Sequence, residues 1–371
     1  MTRERDLPWP AAGLGRGGRP LRRWPRSGAI AAESRGTSTA SAAHGHGPYH
    51  LGMVLTPEPR FSRRALLLAA GGLLVGCSQR PEGEKVHLRL ATGPAGAVYR
   101  RIGGSIAEHI SEQVPGATVS TVPSRASTDN IRMLRSGEVH LGLTSLDALI
   151  MPDGSAPEGL SAVCRLYDSH LHLVVMAGSP IDEFGDLEDK RVSLGARDSG
   201  TEFTSLRVLE LSGVNVDRRY LSQAASAAAL RDGEIDAMFS LTGVPTPAIT
   251  ELAQQHPIRL LPLEEQADAL VRAFPGPYAP ATIPATAYAG VPATRTVAVP
   301  NVLLVRTDLP EDLVYAITDT IFTHTGTITS VGRDGAEAVP EAWHINVRTG
   351  ISTASIPLHP GAAAWFRDRK H

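Results

Sequence analysis

Three short stretches of this 371-residue chain combine residue types and spacing that can do chemistry: Gly93–Ala97, Ser124–Thr128 and Ser199–Thr201. Each is built from small or hydroxyl residues and sits where an apolar strand pattern gives way to a helical one. The first turn of a helix leaves its N–H groups unpaired and carries the positive end of the macrodipole, so such junctions hold anions. Singly, each reads as a helix cap. Together they point to one anion site. Within them Gly93, Gly96, Ala97, Ser124, Ser127, Ser199, Gly200 and Thr201 are candidate contacts through backbone or hydroxyl. Tyr99, in the first turn of its helix, has two roles open to it, reaching a ligand or packing its ring. Arg125 is the only cation inside the three loops, and a guanidinium grips a carboxylate in fork geometry. Asp147, after the third strand, either accepts from a ligand amine or caps the next helix.

The elements that position these loops follow from periodicity. Leu88–Asp147 reads as strand, glycine loop, helix, strand, Ser-rich loop, helix and strand, with Val98, Ile102, Ile106 and Ile110 along one helix stripe and Ser127 or Thr128 as the second N-cap. In an open parallel sheet two such loops lie side by side at the strand C-termini, where α/β folds bind ligands. The same grammar returns later. Leu134-Arg135-Ser136-Gly137-Glu138-Val139-His140 is echoed by Leu230-Arg231-Asp232-Gly233-Glu234-Ile235-Asp236, which argues for two similar α/β lobes. Strands are expected over Leu171–Met176 and Arg191–Gly195, a long connection without elements over 275–300, and a C-terminal Pro-Gly turn and helix that bury Trp365 and Phe366. His359 in that turn reads as a structural hydrogen-bonder.

Charge narrows the partners. The chain has 36 Lys and Arg against 38 Asp and Glu, a net charge of −2. Residues 1–76 hold 11 basic and 4 acidic residues, which leaves 25 against 34 for the remainder, a net charge of −9. An acidic domain is a poor match for nucleic acid. Catalytic signatures are lacking: the chain has no GxSxG, HExxH, CxxC or phosphate loop, and Tyr99 stands where GxGxxG needs its third glycine. A binding protein without metal or cofactor is the expectation, not an enzyme. The tract with His44, His46 and His50 lacks the fixed geometry a metal site needs.

The two cysteines have different settings. Arg60, Arg63 and Arg64 precede the apolar run Ala65–Gly76, which ends in Leu74-Val75-Gly76-Cys77. That order is a secretory signal, too short for a membrane span, and its end resembles a lipobox in which Cys77 carries lipid. The paired arginines also fit a twin-arginine signal, and both export routes stay open. Cys164 reads as a buried small hydrophobe. Residues 1–52 are expected to be disordered or untranslated, with Met53 as an alternative start, 53–76 a lipoprotein signal, and 77–85 a tether.

In order, Ala91-Thr92-Gly93, Gly96 and Tyr99, Ser127 with Asn130, Ser136-Gly137-Glu138, Asp147, Ser199-Gly200-Thr201, Asp232–Ala237, Gly243 with Pro245, and Pro357–Ala362 resemble the TAXI family. These are the extracytoplasmic solute receptors of TRAP transporters. The resemblance runs from about Val86 to the C-terminus. It implies a type II periplasmic-binding-protein fold, α/β, with two lobes and a ligand cleft between them: 86–176 with 300–371 as lobe I and 177–299 as lobe II. Chain crossings are placed near Met176–Ile181 and Thr296–Val305. It also implies a glutamate- or 2-oxoglutarate-like carboxylate or amino acid as ligand, delivered to a TRAP-type permease by a lipid-anchored receptor. Asn130, Ser145 and Gly243 join the candidate contacts by this resemblance. A ligand-sensing lipoprotein that signals to a membrane histidine kinase is the alternative. The chain departs from the family at three places: Pro94 and Ala95 in the first loop, Ser124-Arg125-Ala126-Ser127 in place of Thr-Gly-Gly-Ser, and Ser145 in place of Gln.

Overall fold

The computed structural model describes residues 85–94, 97–150, 155–328 and 340–369. The signal, the lipobox with Cys77, the histidine tract and Gly96 lie outside the described residues.

Alternation makes Val86–Ala91 a strand, β1, with Leu88 and Leu90 fully buried. The four-residue spacing that follows makes Val98–Gln113 a helix, α1, whose Val98, Ile102, Ile106 and Ile110 all face the core. Next come β2 (Ala117–Val122), α2 (Ser127–Arg135) and β3 (Leu141–Ser145). β1 runs parallel to both β2 and β3, so the two strand-to-helix loops open on one sheet edge.

The next strand, β4, is far longer than the Leu171–Met176 expected of it: it is unbroken from Leu160 to Met176. Leu160–Leu173 is buried save for short half-buried positions, as a strand covered on both faces must be. β4 lies antiparallel to the last strand, β10 (Thr294–Arg306). Between them in sequence are β5 (Arg191–Ser193), α3 (Gly200–Ser212), β6 (Asp217–Arg219), α4 (Gln223–Arg231), β7 (Ala237–Thr242), α5 (Pro247–Gln255), β8 (Ile258–Leu260), α6 (Glu264–Ala273) and β9 (Ala279–Ile283). The sheet order is β2-β1-β3-β10-β4-β7-β5-β6, with β8 beside β4 and β9 beside β10.

β4 and β10 each serve both halves. β4 pairs with β10 up to His170 and with β7 from His170 to Val174. β10 pairs with β9 from Thr294 to Ala298 and with β3 from Asn301 to Val305. The first change of partner therefore falls inside β4, ahead of Met176–Ile181, because the strand does not end where its hydropathy pattern changes. The second falls around Pro300, where the register shifts, as expected of a residue without an N–H in a ladder. The element-free connection expected over 275–300 is corrected: β9 and the start of β10 occupy it. Pro280 does not prevent a strand, since β9 is an edge strand paired on one side only.

The echoed heptapeptides are the same piece of structure. α2 and α4 end at Arg135 and Arg231, and Gly137 and Gly233 turn the chain at φ +75° and +70°. Glu138 N–H donates to the Met133 carbonyl as Glu234 N–H donates to that of Ala229, and His140 and Asp236 then bond to Arg89 and Arg191 on the neighbouring strands. β6-β5-β7 is parallel, as β2-β1-β3 is.

Helices cover both faces of each half. In the first, α1 packs with α7 (Glu311–Thr323) and α8 (Pro360–Asp368), where Trp365 and Phe366 are buried, while α2 covers the opposite face. In the second, α3 and α6 cover one face and α4 and α5 the other. His359 caps α8, its Nδ1 accepting from Gly361 N–H at 3.2 Å. Cys164 is buried and free, and burial pushes its thiol far above the ordinary range. Two α/β lobes joined by two shared strands make this the type II periplasmic-binding-protein fold.

Candidate functional site

A cavity of ≈ 250 Å³ lies between the lobes. Its walls include Ala97, Val98 and Tyr99, then Arg125, Ala126 and Ser127, then Ser145 on the first lobe, and Ser199, Gly200 and Thr201 on the second. The three sequence-expected loops are thus brought to one place. Gly93, Ser124, Asn130, Asp147 and Gly243 are not in the wall, and Gly96 lies outside the described residues.

The loops differ in how they end. α3 is capped by Ser199, whose Oγ accepts from Glu202 N–H at 3.2 Å. α1 begins after Ala97 and α2 after Ala126, and neither has a side-chain cap. Capping by Ser127 or Thr128 is therefore corrected: Ser127 is already helical, and its Oγ accepts from both the N–H and the Oγ of Ser145, each at 3.1 Å. The Thr128 hydroxyl donates across the cleft to the Asp198 carbonyl. Ala126 stands at φ 85°, ψ −139°, a conformation that glycine adopts freely and alanine does not. Ser124 holds this bend, donating to the Thr92 carbonyl at 3.2 Å and accepting from Ala126 N–H at 3.1 Å.

The lobes meet at Gly200. A Cβ there would stand 2.9 Å from Ser127 Oγ and 3.0 Å from Ser145 Oγ. Thr201 turns inward as well, its Oγ1 accepting from Leu241 N–H at 3.1 Å.

The floor is a set of neutral groups. Tyr99 OH donates to Asn301 Oδ1 at 2.5 Å, and Asn301 Nδ2 donates to the Tyr167 carbonyl at 3.1 Å and Ser169 Oγ at 2.9 Å. A carbonyl only accepts, so the amide has one orientation. Burial pushes the Tyr99 phenol far above its ordinary value despite the Ser127 hydroxyl that bonds it, and burial does the same to Tyr167. Both stay protonated.

The remaining candidates have structural partners. Asn130 is fully buried and donates through Nδ2 to the carbonyls of Thr92 at 2.7 Å and Leu143 at 2.6 Å, tying the first loop to β3. Asp147 neither lines the cavity nor caps a helix through its side chain. Its Oδ2 accepts from Thr204 Oγ1 at 2.6 Å and Tyr278 OH at 3.0 Å, both on the second lobe. Arg207, between the rings of Phe203 and Phe274, donates to Tyr278 OH at 3.1 Å and to the carbonyl of Asp147 at 3.3 Å. This residue joins the lobes. Gly243 is a packing glycine, since a Cβ there would lie 2.3 Å from Glu341 Cγ, and Gly93 gives room to Tyr99, whose Cβ would be 3.2 Å away. Arg125 reaches the wall with its charge already met, 2.7 Å from Asp198 and 3.6 Å from Asp129. Burial opposes ionisation of Asp129, but the Arg125 N–H and the Arg132 side chain outweigh it and hold that carboxyl below its ordinary range.

Sequence reasoning missed Tyr167, Ser169, Asn301, Ser222, Gln223, Phe239 and Leu241, all in the wall. One had a signal: Asn301 is the lone polar residue in the apolar run Val297–Val305 apart from a proline. Among the described residues no group of three or more His, Cys, Asp or Glu is placed to hold a metal ion, and no helix is long and apolar enough to cross a membrane.

Fold and cleft together define a two-lobed binding-protein architecture. Residues 90–369 match the NMT1-like family, and the chain belongs to it. Among solved structures it is similar to the periplasmic aliphatic sulphonate binding protein SsuA from Escherichia coli, at 16% identity over 78% of this chain and 79% of that one, TM-score 0.38. It is similar to a putative L-cystine ABC transporter protein from Listeria monocytogenes, at 14% identity over 68% and 98%, TM-score 0.43. It is also similar to the GluR0 ligand-binding core in complex with L-glutamate, at 15% identity over 64% and 91%, TM-score 0.41.

Proposed function

We propose that this protein is a TAXI-type extracytoplasmic solute receptor, tethered through lipid on Cys77, that captures a small organic anion and delivers it to a TRAP-type permease. The observation that carries the reading is the cavity between the lobes, whose wall takes in the starts of α1 at Ala97 and α2 at Ser127, neither with a side-chain cap, and of α3 at Gly200 on the facing lobe. Helix starts present N–H donors and positive potential without a cationic side chain. Closure about the partner exchanges near His170 and Pro300 brings the two sets of donors onto one ligand. The ligand then favours the closed form by its extra contacts there.

Calorimetry of the purified protein against carboxylates, keto acids and amino acids tests the capture step, with saturable binding expected for at least one class. A folded protein that binds none would remove the receptor reading. Anchoring has a separate readout: Cys77→Ser releases the protein from the membrane fraction and abolishes labelling by a fatty-acid probe.

A further inference from the structure

The cleft is not evenly polar, and its grading restricts what it holds. At one end the starts of α1 and α2 lack side-chain caps and meet Gly200 at the start of α3, beside the Ser127 and Ser145 hydroxyls. That end is rich in donors and has no opposing carboxylate, because Asp147 is turned into its contacts with Thr204 and Tyr278. At the other end the helix starts are blunted. Ser222 caps α4 by accepting from Ala225 N–H, α5 opens with Pro247, which has no N–H, and Thr246 N–H is spent on Tyr288 OH. The wall there is Phe239, Leu241 and Ala248, with Leu241 adjoining Gly200, beside Ser222, Gln223, Ser226 and Thr242, whose side chains are already bonded to Ala225 N–H, Ser240, Ser193 and Thr246.

Charge follows the same grading. Arg125 and Glu251 are the only charged residues among the described lining residues. Arg125 is engaged by Asp198, and Glu251 is an exposed carboxylate on α5. A second carboxylate on the ligand would lie on apolar side chains or near Glu251. An α-ammonium beside the first carboxylate would find no acid to receive it. Burying either charge unpaired is costly.

Resting on the receptor reading above, we infer that the ligand is a singly charged carboxylate with an apolar body, its carboxylate at the α1–α2–α3 end and its body against Phe239 and Leu241. Dicarboxylates and zwitterionic amino acids are then discriminated against by the second charge. Isovalerate, hexanoate and phenylacetate, titrated calorimetrically beside succinate, 2-oxoglutarate and L-glutamate, decide it. The apolar monocarboxylates bind roughly 10–100-fold more tightly than the other three. Equal or tighter binding of succinate, 2-oxoglutarate or L-glutamate overturns the inference and leaves the receptor reading intact; no binding of any probe to folded protein removes both. In Glu251→Lys, at an exposed position, the affinity for succinate relative to the monocarboxylates rises about tenfold. An unchanged ratio in that variant, with its melting temperature intact, counts against the assigned orientation.

Discussion

Gly200→Ala separates closure from folding. The added Cβ would stand 2.9 Å from Ser127 Oγ and 3.0 Å from Ser145 Oγ, both across the cleft. To make room the hydroxyls must swing away, breaking the bonds by which Ser127 Oγ accepts from Ser145 N–H and Oγ. Each such bond contributes about 0.5–1.5 kcal/mol, so the closed form loses about 1–3 kcal/mol. The open form loses nothing, since Gly200 is helical and alanine is a better helix former. Ligand affinity should therefore fall roughly 5- to 150-fold by calorimetry, while the melting temperature of the ligand-free protein holds or rises and small-angle scattering reports a more extended average. Ser145→Gly removes one of the two obstructing atoms, so in that background the penalty should shrink by about 1 kcal/mol. Unchanged affinity in Gly200→Ala would refute the closing contact, and an equal penalty in both backgrounds would refute its assignment to these serines.

Three other perturbations have signs fixed by the structure. His172 is buried and neutral, its Nδ1 donating to the carbonyls of His170 and Ser240 and its Nε2 accepting from Tyr288 OH, and burial pushes its pKa from 6.5 down to about 4. The unfolded chain takes up a proton near pH 6.5 and the folded one does not, so this contribution is whole above that pH. It falls by about 2 kcal/mol by pH 5 and about 3 kcal/mol by pH 4; urea unfolding across that window should show a steeper loss in wild type than in His172→Phe, by that difference. Ala126→Gly releases a backbone held at φ 85°, and relief of about 1–3 kcal/mol less about 0.5–1 kcal/mol of glycine entropy should raise the melting temperature; a fall would contradict it. Tyr278→Phe removes the donor to Asp147 Oδ2 and should cost about 1–3 kcal/mol in denaturant unfolding, with weaker ligand binding alongside.

The repeated helix-glycine-strand phrase was the most legible part of the sequence, because left-handed glycines such as Gly137 and Gly233 and the apolar positions around them are local requirements. The three loops were legible for the same reason. Contacts between lobes were not. Asp147 looks alike in sequence whether it faces a ligand, a helix or the other lobe; its role depends on Thr204 and Tyr278, far along the chain. β4 was underestimated because its first half is buried on both faces, and a strand buried on both faces shows no alternation. Proline hid β9 and the start of β10, since a residue that argues against a central strand is tolerated at an edge or a bulge.

Of the contacts that cross between the lobes near the site, two differ most in magnitude. Arg125 and Asp198 form an ion pair across the cleft at 2.7 Å, with side chains 58% and 48% exposed. A pair so exposed contributes at most about 1 kcal/mol and is screened by salt. Asp147 is fully buried, and its carboxylate accepts from two hydroxyls of the second lobe. Opening the lobes there exposes a carboxylate, a threonine and a phenol together and breaks both hydrogen bonds to Asp147 Oδ2. The buried set therefore sets the closed geometry, and Arg125 is free to act on the rim, where its charge shapes which anions approach more than how tightly they are held. Replacing Arg125 with Ala should then slow association at low salt, with little change in dissociation; a faster dissociation in stopped-flow measurements would move Arg125 from the rim to the binding contacts.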